Sequence, residues 1–407
     1  MPVPAWRRTQ MTGSGSTHPW RRKRCIFGDL ESQHLKINPP FPFNHLPPRP
    51  LSARSSPNIE SSVEGGLIVS TSLGRVILAY KNFAAGRNIS HIGLGVAALN
   101  TAKTLRANGV AAEVWPIVNA AELRTRLDAT VSHVIASAPW IPSREWQRMT
   151  ADCPNVVFAV NCHSNVGFLQ ADSNGVTLVR EGLDIERGTW NFHVAGNNRR
   201  FCRWMSAAYE APCAYLPNLY HLESRPPVAR PLFQGGTLRI GAFGATRPLK
   251  NFLSAAGAAL EVATRLRTDL EFWVSAGRTE GGGGIMSAVR AMIHGLPHMK
   301  LVENGWQSWP GFRATVRHMH LLLQPSYTES FNMVTADGIA EGVASVVSAA
   351  IDWAPKSWIA ACDDVLEIAR VGRCLLSDPH AAADGLQALQ AHNADGLASW
   401  KQYLGIS

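Results

Sequence analysis

Leu321–Val347 reads LLLQPSYTESFNMVTADGIAEGVASVV. It opens on three leucines, Leu321–Leu323, an apolar run suited to a buried strand. Pro325 and Ser326 break the run, and Thr328 or Ser330 stands where it can cap a helix beginning near Phe331. Val334, Ile339 and Val343 are the apolar positions of that helix, and Gly342 is its stop. Ser345–Ser348 reads as a second buried strand. The order is strand, loop, helix, strand, with two acids, Glu329 and Asp337, eight positions apart. That spacing is a little over two helical turns, so both carboxylates are expected near one crevice at the helix start. Unpaired N–H groups and the positive end of the helix dipole lie at such a start, and they suit an anion such as a diphosphate.

Upstream of this stretch the same alternation is repeated. Strand Leu238–Phe243, helix Phe252–Arg265, strand Leu270–Ser275, helix Ile285–His294, strand Met299–Glu303 and helix Trp309–Arg317 lead into it. The glycines Gly281–Gly284 read as a connection, since a phosphate-cradling loop there lacks a neighbouring Lys-Ser/Thr. An earlier unit has strands at 75–80, 112–117, 132–136, 156–161, 191–195 and 213–216. Helices at 96–108, 120–128, 143–149 and 199–208 separate them. Short apolar strands alternating with helices predict parallel sheets covered on both faces. Between the units, His221–Gly236 carries Pro226, Pro227, Pro231, Gly235 and Gly236 and reads as a linker.

The fold class expected is therefore α/β, with two doubly wound Rossmann-like domains facing across a cleft. The divisions are a basic, Pro-rich, disordered tail over 1–64, an N-terminal domain over 65–220 and a linker over 221–236. A C-terminal domain over 237–390 and a final helix over 391–407 complete the chain. Its length of 407 residues and 46% apolar content suit two globular domains. No apolar run reaches eighteen residues, so no integral membrane segment is expected. The basic N-terminus has no apolar h-region, which argues against a secretory signal. Seven cysteines without paired C-x-x-C spacing are expected as buried free thiols, consistent with a cytoplasmic setting and with no metal site. Six of the nine net positive charges fall in residues 1–60. The near-neutral body thus argues against nucleic acid as a partner without removing it, and peripheral contact with a membrane surface stays open.

Four places carry candidate chemistry. In GAFGATRPLKN, Gly241–Asn251, Gly244 permits a sharp turn while Arg247 and Lys250 put two cations at one strand end. Glu329 and Asp337 form the second place, and His163, after the fourth strand in NCHSNVG, the third. The fourth is HIGLGVAA, where Gly93 and Gly95 with Ala98 fit G-x-G-x-x-A, and Glu113 follows twenty residues after Gly93. About a dozen residues separate Tyr80 from Gly93, and Glu113 lies inside its strand. Both facts argue against a dinucleotide fingerprint and for a loop that admits a ligand.

Over roughly residues 75–390 these features resemble the retaining GT-B glycosyltransferases, particularly family four. GATRPLKN resembles the family's Gly…Arg…Lys loop, and LQPSYTESFNMVTADGIAEG its Pro-Ser…Glu…Glu helix motif. By that resemblance Arg247 and Lys250 hold the donor diphosphate, with backbone groups of Ser330, Phe331, Asn332 and Met333 facing the phosphates. Glu329 sits by the donor sugar, and Asp337 takes the place of the acid that contacts the ribose. His163 matches the strand-end histidine of the N-terminal unit, Gly93 and Gly95 the acceptor-side loop, and Pro217-Asn218 the entry to the linker. Two departures are Asp337 for the usual Glu and Ala344 for a frequent Pro. The function implied is retaining, metal-independent transfer of a sugar from a nucleotide-sugar donor to a glycan, lipid or other acceptor, the donor being substrate and no cofactor being needed. The alternatives are a phage-type glucosyltransferase that modifies nucleic acid and a catalytically inactive GT-B binding module.

Overall fold

The computed structural model describes residues 73–82, 92–223, 232–276 and 283–406. The expected tail over 1–64, residues 224–231 of the linker, and Gly281 and Gly282 lie outside the described residues.

The N-terminal half runs β1 (Arg75–Lys81), α1 (Ile92–Ala107), β2 (Ala112–Ile117), α2 (Ala120–Arg126), β3 (Val131–Ser137) and α3 (Ser143–Asp152). It continues with β4 (Val157–Cys162), α4 (Val166–Leu169), α5 (Ser173–Gly188), β5 (Phe192–Gly196), α6 (Arg199–Tyr209) and β6 (Ala214–Tyr215). These strands form one parallel sheet in the order β2-β1-β3-β4-β5-β6. Alternate residues of β1 serve opposite faces. Val76 and Leu78 join the apolar cluster that receives the C-terminal end of the chain, while Ile77 and Ala79 join the cluster of Trp146, Phe158 and Phe192. A strand buried on both faces in this way reads as a continuous apolar run.

The C-terminal half runs β7 (Leu238–Ala242), α7 (Phe252–Leu266), β8 (Leu270–Ser275), α8 (Gly283–Ile293), β9 (Met299–Asn304) and α9 (Trp309–Arg317). Then come β10 (Leu321–Gln324), α10 (Met333–Ala340), β11 (Ser345–Val347), α11 (Val365–Ser377) and α12 (Ala381–Leu404). Its sheet is also parallel, in the order β11-β10-β7-β8-β9. The three leucines of β10 divide between the faces: Leu321 and Leu323 enter the large core, Leu322 the smaller cluster with Phe243 and Val334. The expected α/β class with two doubly wound sheets is what the chain adopts.

Three local expectations change. The helix of the opening stretch begins at Met333, not near Phe331. Its cap is Asn332 in a left-handed conformation (φ 70°), whose Oδ1 accepts from the Thr335 amide, rather than Thr328 or Ser330. Asn tolerates that backbone region better than most residues, because its short polar side chain bonds locally. Gly93 and Gly95 lie within the first turn of α1 rather than in a loop. Between 162 and 190, where the sequence reading assigns no element, the chain forms α4 and the 16-residue α5. The six described cysteines are free as expected, but only Cys162 is buried, and Cys374 is exposed. No helix among the described residues is long and apolar enough to cross a membrane.

Candidate functional site

Loops at the carboxyl ends of the two sheets meet, and Arg247, Lys250 and Glu329 stand there, while Asp337 and Gly93 do not. After β7, Gly244 (φ 121°) adopts a backbone region that side chains strain, and its amide donates to Ser275 Oγ at 3.2 Å. A short 3₁₀ turn over Pro248–Lys250 follows and ends at Asn251, itself left-handed (φ 56°). Asn251 Nδ2 donates to the carbonyl of Pro325, and the Tyr327 amide donates to that of Leu249 at 2.9 Å. The Gly244–Asn251 loop is thereby fastened to the segment after β10.

That fastening brings the two motifs together. Lys250 Nζ lies 2.5 Å from Glu329 Oε1, and both side chains are about nine-tenths buried. Asn332 Nδ2 donates to the same Oε1 at 3.1 Å and to Gln324 Oε1 at 3.1 Å. Gln324 in turn donates to the carbonyl of Phe243 at the end of β7. A poorly hydrated ion pair depends on further hydrogen bonds to hold its geometry, and Asn332 adds a second donor to the same Glu329 oxygen that Lys250 contacts. Arg247 carries its guanidinium 5.3 Å from the centroid of Phe168 in α4, so it stands where the two halves touch.

His163 follows β4 directly. It is half-buried, and loss of water around the ring pushes its pKa down to about 4. At neutral pH it is an uncharged imidazole, one nitrogen donating and the other accepting. Asn165 and Gly167, next in the chain, touch the Glu329 segment. Asn165 Nδ2 donates to the carbonyl of Glu329 at 3.1 Å, and a Cβ at Gly167 would come within 3.0 Å of Thr328. Asn198, after β5, donates to the carbonyl of Ser330 at 3.1 Å. Among the described residues, the backbone N–H groups of Ser330, Phe331, Asn332 and Met333 meet no acceptor. Phe331 itself is buried, stacked on Trp353 at 5.0 Å.

Asp337 lies apart from the Lys250 contact. Its carboxyl is 2% exposed, and Oδ1 accepts from Tyr220 Oη at 2.7 Å and Trp309 Nε1 at 2.9 Å. It thus faces the buried Tyr220 and the half-buried Trp309 rather than an open crevice. One turn on, Glu341 is buried between Arg313 and Arg317 of α9, at 2.7 and 2.6 Å. Gly93 is exposed at the start of α1, whereas a Cβ at Gly95 would meet the Tyr80 ring at 3.1 Å. Glu113 is occupied by Arg75 at 2.9 Å and by Trp115 Nε1 at 3.0 Å, which accounts for an acid inside β2 without a dinucleotide.

Sequence reading did not find Asn165, Asn198, Tyr220, Trp309, Trp353 or the Glu341 cluster. The Asn of NCHSN and that of GNN each stand just after a strand, a weak signal of a helix cap. Nothing local shows what their amide nitrogens reach.

Compared by sequence, the chain matches no protein-family model and no curated protein. Compared by structure, it is similar to the N-terminal domain of the trehalose-6-phosphate phosphatase of Candida albicans, with a TM-score of 0.56 and 10% identity over 83% of this chain and 96% of that one. Sucrose-phosphate synthase from Thermosynechococcus elongatus gives 0.54 and 15% over 81% and 98%. A UDP-forming α,α-trehalose-phosphate synthase from Burkholderia xenovorans, in complex with glucose-6-phosphate, gives 0.54 and 12% over 81% and 98%. At such identities the likeness shows the fold: two parallel sheets with flanking helices, in the GT-B arrangement.

Proposed function

We propose that this protein is a glycosyltransferase that moves a sugar from a nucleotide-sugar donor to an acceptor. The observation that carries the reading is the Lys250–Glu329 contact, which joins two motifs 79 residues apart at one strand-end site. The shared fold with a sucrose-phosphate synthase and a UDP-forming synthase supports it. Retaining, metal-independent transfer is the course implied by the family resemblance.

In this scheme the leaving group is a nucleoside diphosphate whose negative charge grows as the anomeric bond breaks. Lys250, poorly hydrated, is a strong point charge for that oxygen anion. Arg247 offers a planar fork of donors, and the amides at 330–333 add dipoles that need no reorganisation. Glu329 holds Lys250 in place and stands beside the donor sugar. His163, neutral at pH 7, hydrogen-bonds a sugar hydroxyl without adding charge.

Thermal-shift measurement with UDP, GDP and ADP tests the donor class, because a ligand of the folded state raises the melting temperature. Arg247→Ala and Lys250→Ala are then each expected to lower donor turnover about a hundredfold or more, roughly 3 kcal/mol of transition-state stabilisation. Arg144→Ala, on the exposed face of α3, is expected to leave turnover unchanged. Full turnover in both loop variants would remove the phosphate role. The enclosure of Asp337, which takes its carboxyl away from a ribose, favours a second reading, a catalytically inactive GT-B module. Diphosphate binding without donor hydrolysis or transfer identifies that case.

A further inference from the structure

Three successive peptide units after Glu329 have their carbonyls taken by side chains from distant parts of the chain. Asn165 Nδ2 donates to the carbonyl of Glu329 and Asn198 Nδ2 to that of Ser330, each at 3.1 Å. Trp353 Nε1 donates to that of Phe331 at 2.7 Å. None of the peptide bonds is cis, and in a trans unit the C=O and the following N–H point in opposite directions. Fixing the three carbonyls therefore also fixes the amides of Ser330, Phe331 and Asn332, the groups that meet no acceptor among the described residues.

The two asparagines divide their carboxamides between two tasks. Asn165 Oδ1 accepts from the Val166 amide at 2.8 Å, at the start of α4. Asn198 Oδ1 accepts from the amides of Arg200 and Phe201, at the start of α6. The oxygen caps a helix of the N-terminal half, and the nitrogen reaches into the C-terminal half. Both side chains are more than nine-tenths buried, so water is a poor substitute partner for the carbonyls.

Resting on the donor reading above, we propose that Asn165, Asn198 and Trp353 are positioning residues for the donor diphosphate. They hold the peptide planes of 329–332, two with their carbonyls turned to the N-terminal half and one with its carbonyl turned to Trp353, so that the amides of Ser330, Phe331 and Asn332 are fixed for the phosphates. The donor site is then complete only with the N-terminal half docked against it. Preorganised amides stabilise developing charge more than amides that must rotate into place.

The test uses calorimetric titration of the full chain with the nucleoside diphosphate that the wild type binds among UDP, GDP and ADP, and with its monophosphate as reference. Asn165→Ser and Asn198→Ser keep a neutral, effective helix cap but are too short to reach across. Trp353→Phe keeps the ring against Phe331 and removes the N–H. Each variant is expected to weaken the diphosphate about tenfold or more. The monophosphate should change less than about threefold, with the melting temperature within a few degrees of wild type. The three changes lie on different elements, so failure of one variant to fold leaves the others to decide. Equal weakening of both nucleotides, or unchanged diphosphate affinity in every variant, overturns the positioning role and leaves the donor reading intact. Absence of diphosphate binding by the wild type overturns both.

Discussion

At Asp337, burial and hydrogen bonding oppose each other, and burial dominates. The enclosed carboxyl has its pKa pushed up to about 6, although Trp309 and Tyr220 both donate to it and pull the other way. A carboxyl with a raised pKa binds its proton more tightly in the folded chain than in the unfolded one. Its contribution to stability is therefore complete below pH about 4 and is lost as pH rises through about 6, a change of about 3 kcal/mol. Asp337→Asn keeps Oδ1 as acceptor for both donors and cannot ionise. Urea unfolding from pH 4 to 7 should show the wild type losing this increment relative to the variant; parallel profiles would mean that Asp337 titrates normally. The sequence singled out this acid, along with Glu329 and Lys250, by type and spacing. It was silent on Tyr220, 117 residues away, and on Asn165, 164 residues from the carbonyl it binds, because a local pattern holds no information about such partners.

Among the elements, α12 shows most directly how packing constrains sequence. It lies against the C-terminal half at Gly385, where a Cβ would fall 2.4 Å from the ring of the fully buried Trp358. Three turns later it lies against the N-terminal half at Gly396, where a Cβ would fall 2.7 Å from Leu219 and 2.8 Å from Pro217. Gly385→Ala should gain about 1 kcal/mol of helix propensity and lose about 1–3 kcal/mol to overpacking, so the melting temperature is expected to fall. Gly188→Ala, at the end of α5 with nothing within 4 Å, keeps only the propensity gain and should raise it. Calorimetric scans of the two variants are expected to give shifts of opposite sign, and a rise in both would mean that overpacking against Trp358 does not govern position 385. Glycine also explains why α5 is hard to read. Gly175, Gly182 and Gly188 count against a helix by propensity, yet a Cβ at Gly182 would come within 3.1 Å of Val194, and its absence lets the helix settle on β5. Asp172 caps it through the Gly175 amide.

For the whole molecule, what matters is how the two halves are joined. Arg200 of α6 donates to the carbonyls of Ala349 and Ala350 beyond β11. His392 and Asn393 of α12 hold the chain at Asn218 and Tyr220, at 2.9 Å and 2.7 Å. Trp400 then enters the core beside Val76, Leu78 and Leu216, and its Nε1 donates to the carbonyl of Pro217 at 2.8 Å. The last helix is thus rooted in one half and completes the core of the other. Trp400→Ala should cost about 3–5 kcal/mol by cavity formation and loss of that bond. Unfolding followed by circular dichroism and by tryptophan fluorescence is expected to coincide in the wild type and to separate in the variant. Coincident transitions in both would show that α12 is not the coupling element.

The amino-acid order alone determined the alternation of strands and helices, the two parallel sheets, and the Gly-x-x-Arg-x-x-Lys and Glu-bearing loops at strand ends. These follow from periodicity, turn residues and side-chain type, which act over a few positions. Tertiary structure decided which side chains complete the site. It placed Lys250 against Glu329, put Asp337 among Tyr220 and Trp309, and brought Asn165 and Asn198 from one half to the backbone of the other. Contacts of that kind depend on how two separately built sheets come to rest on each other, and no short-range pattern in the chain records that.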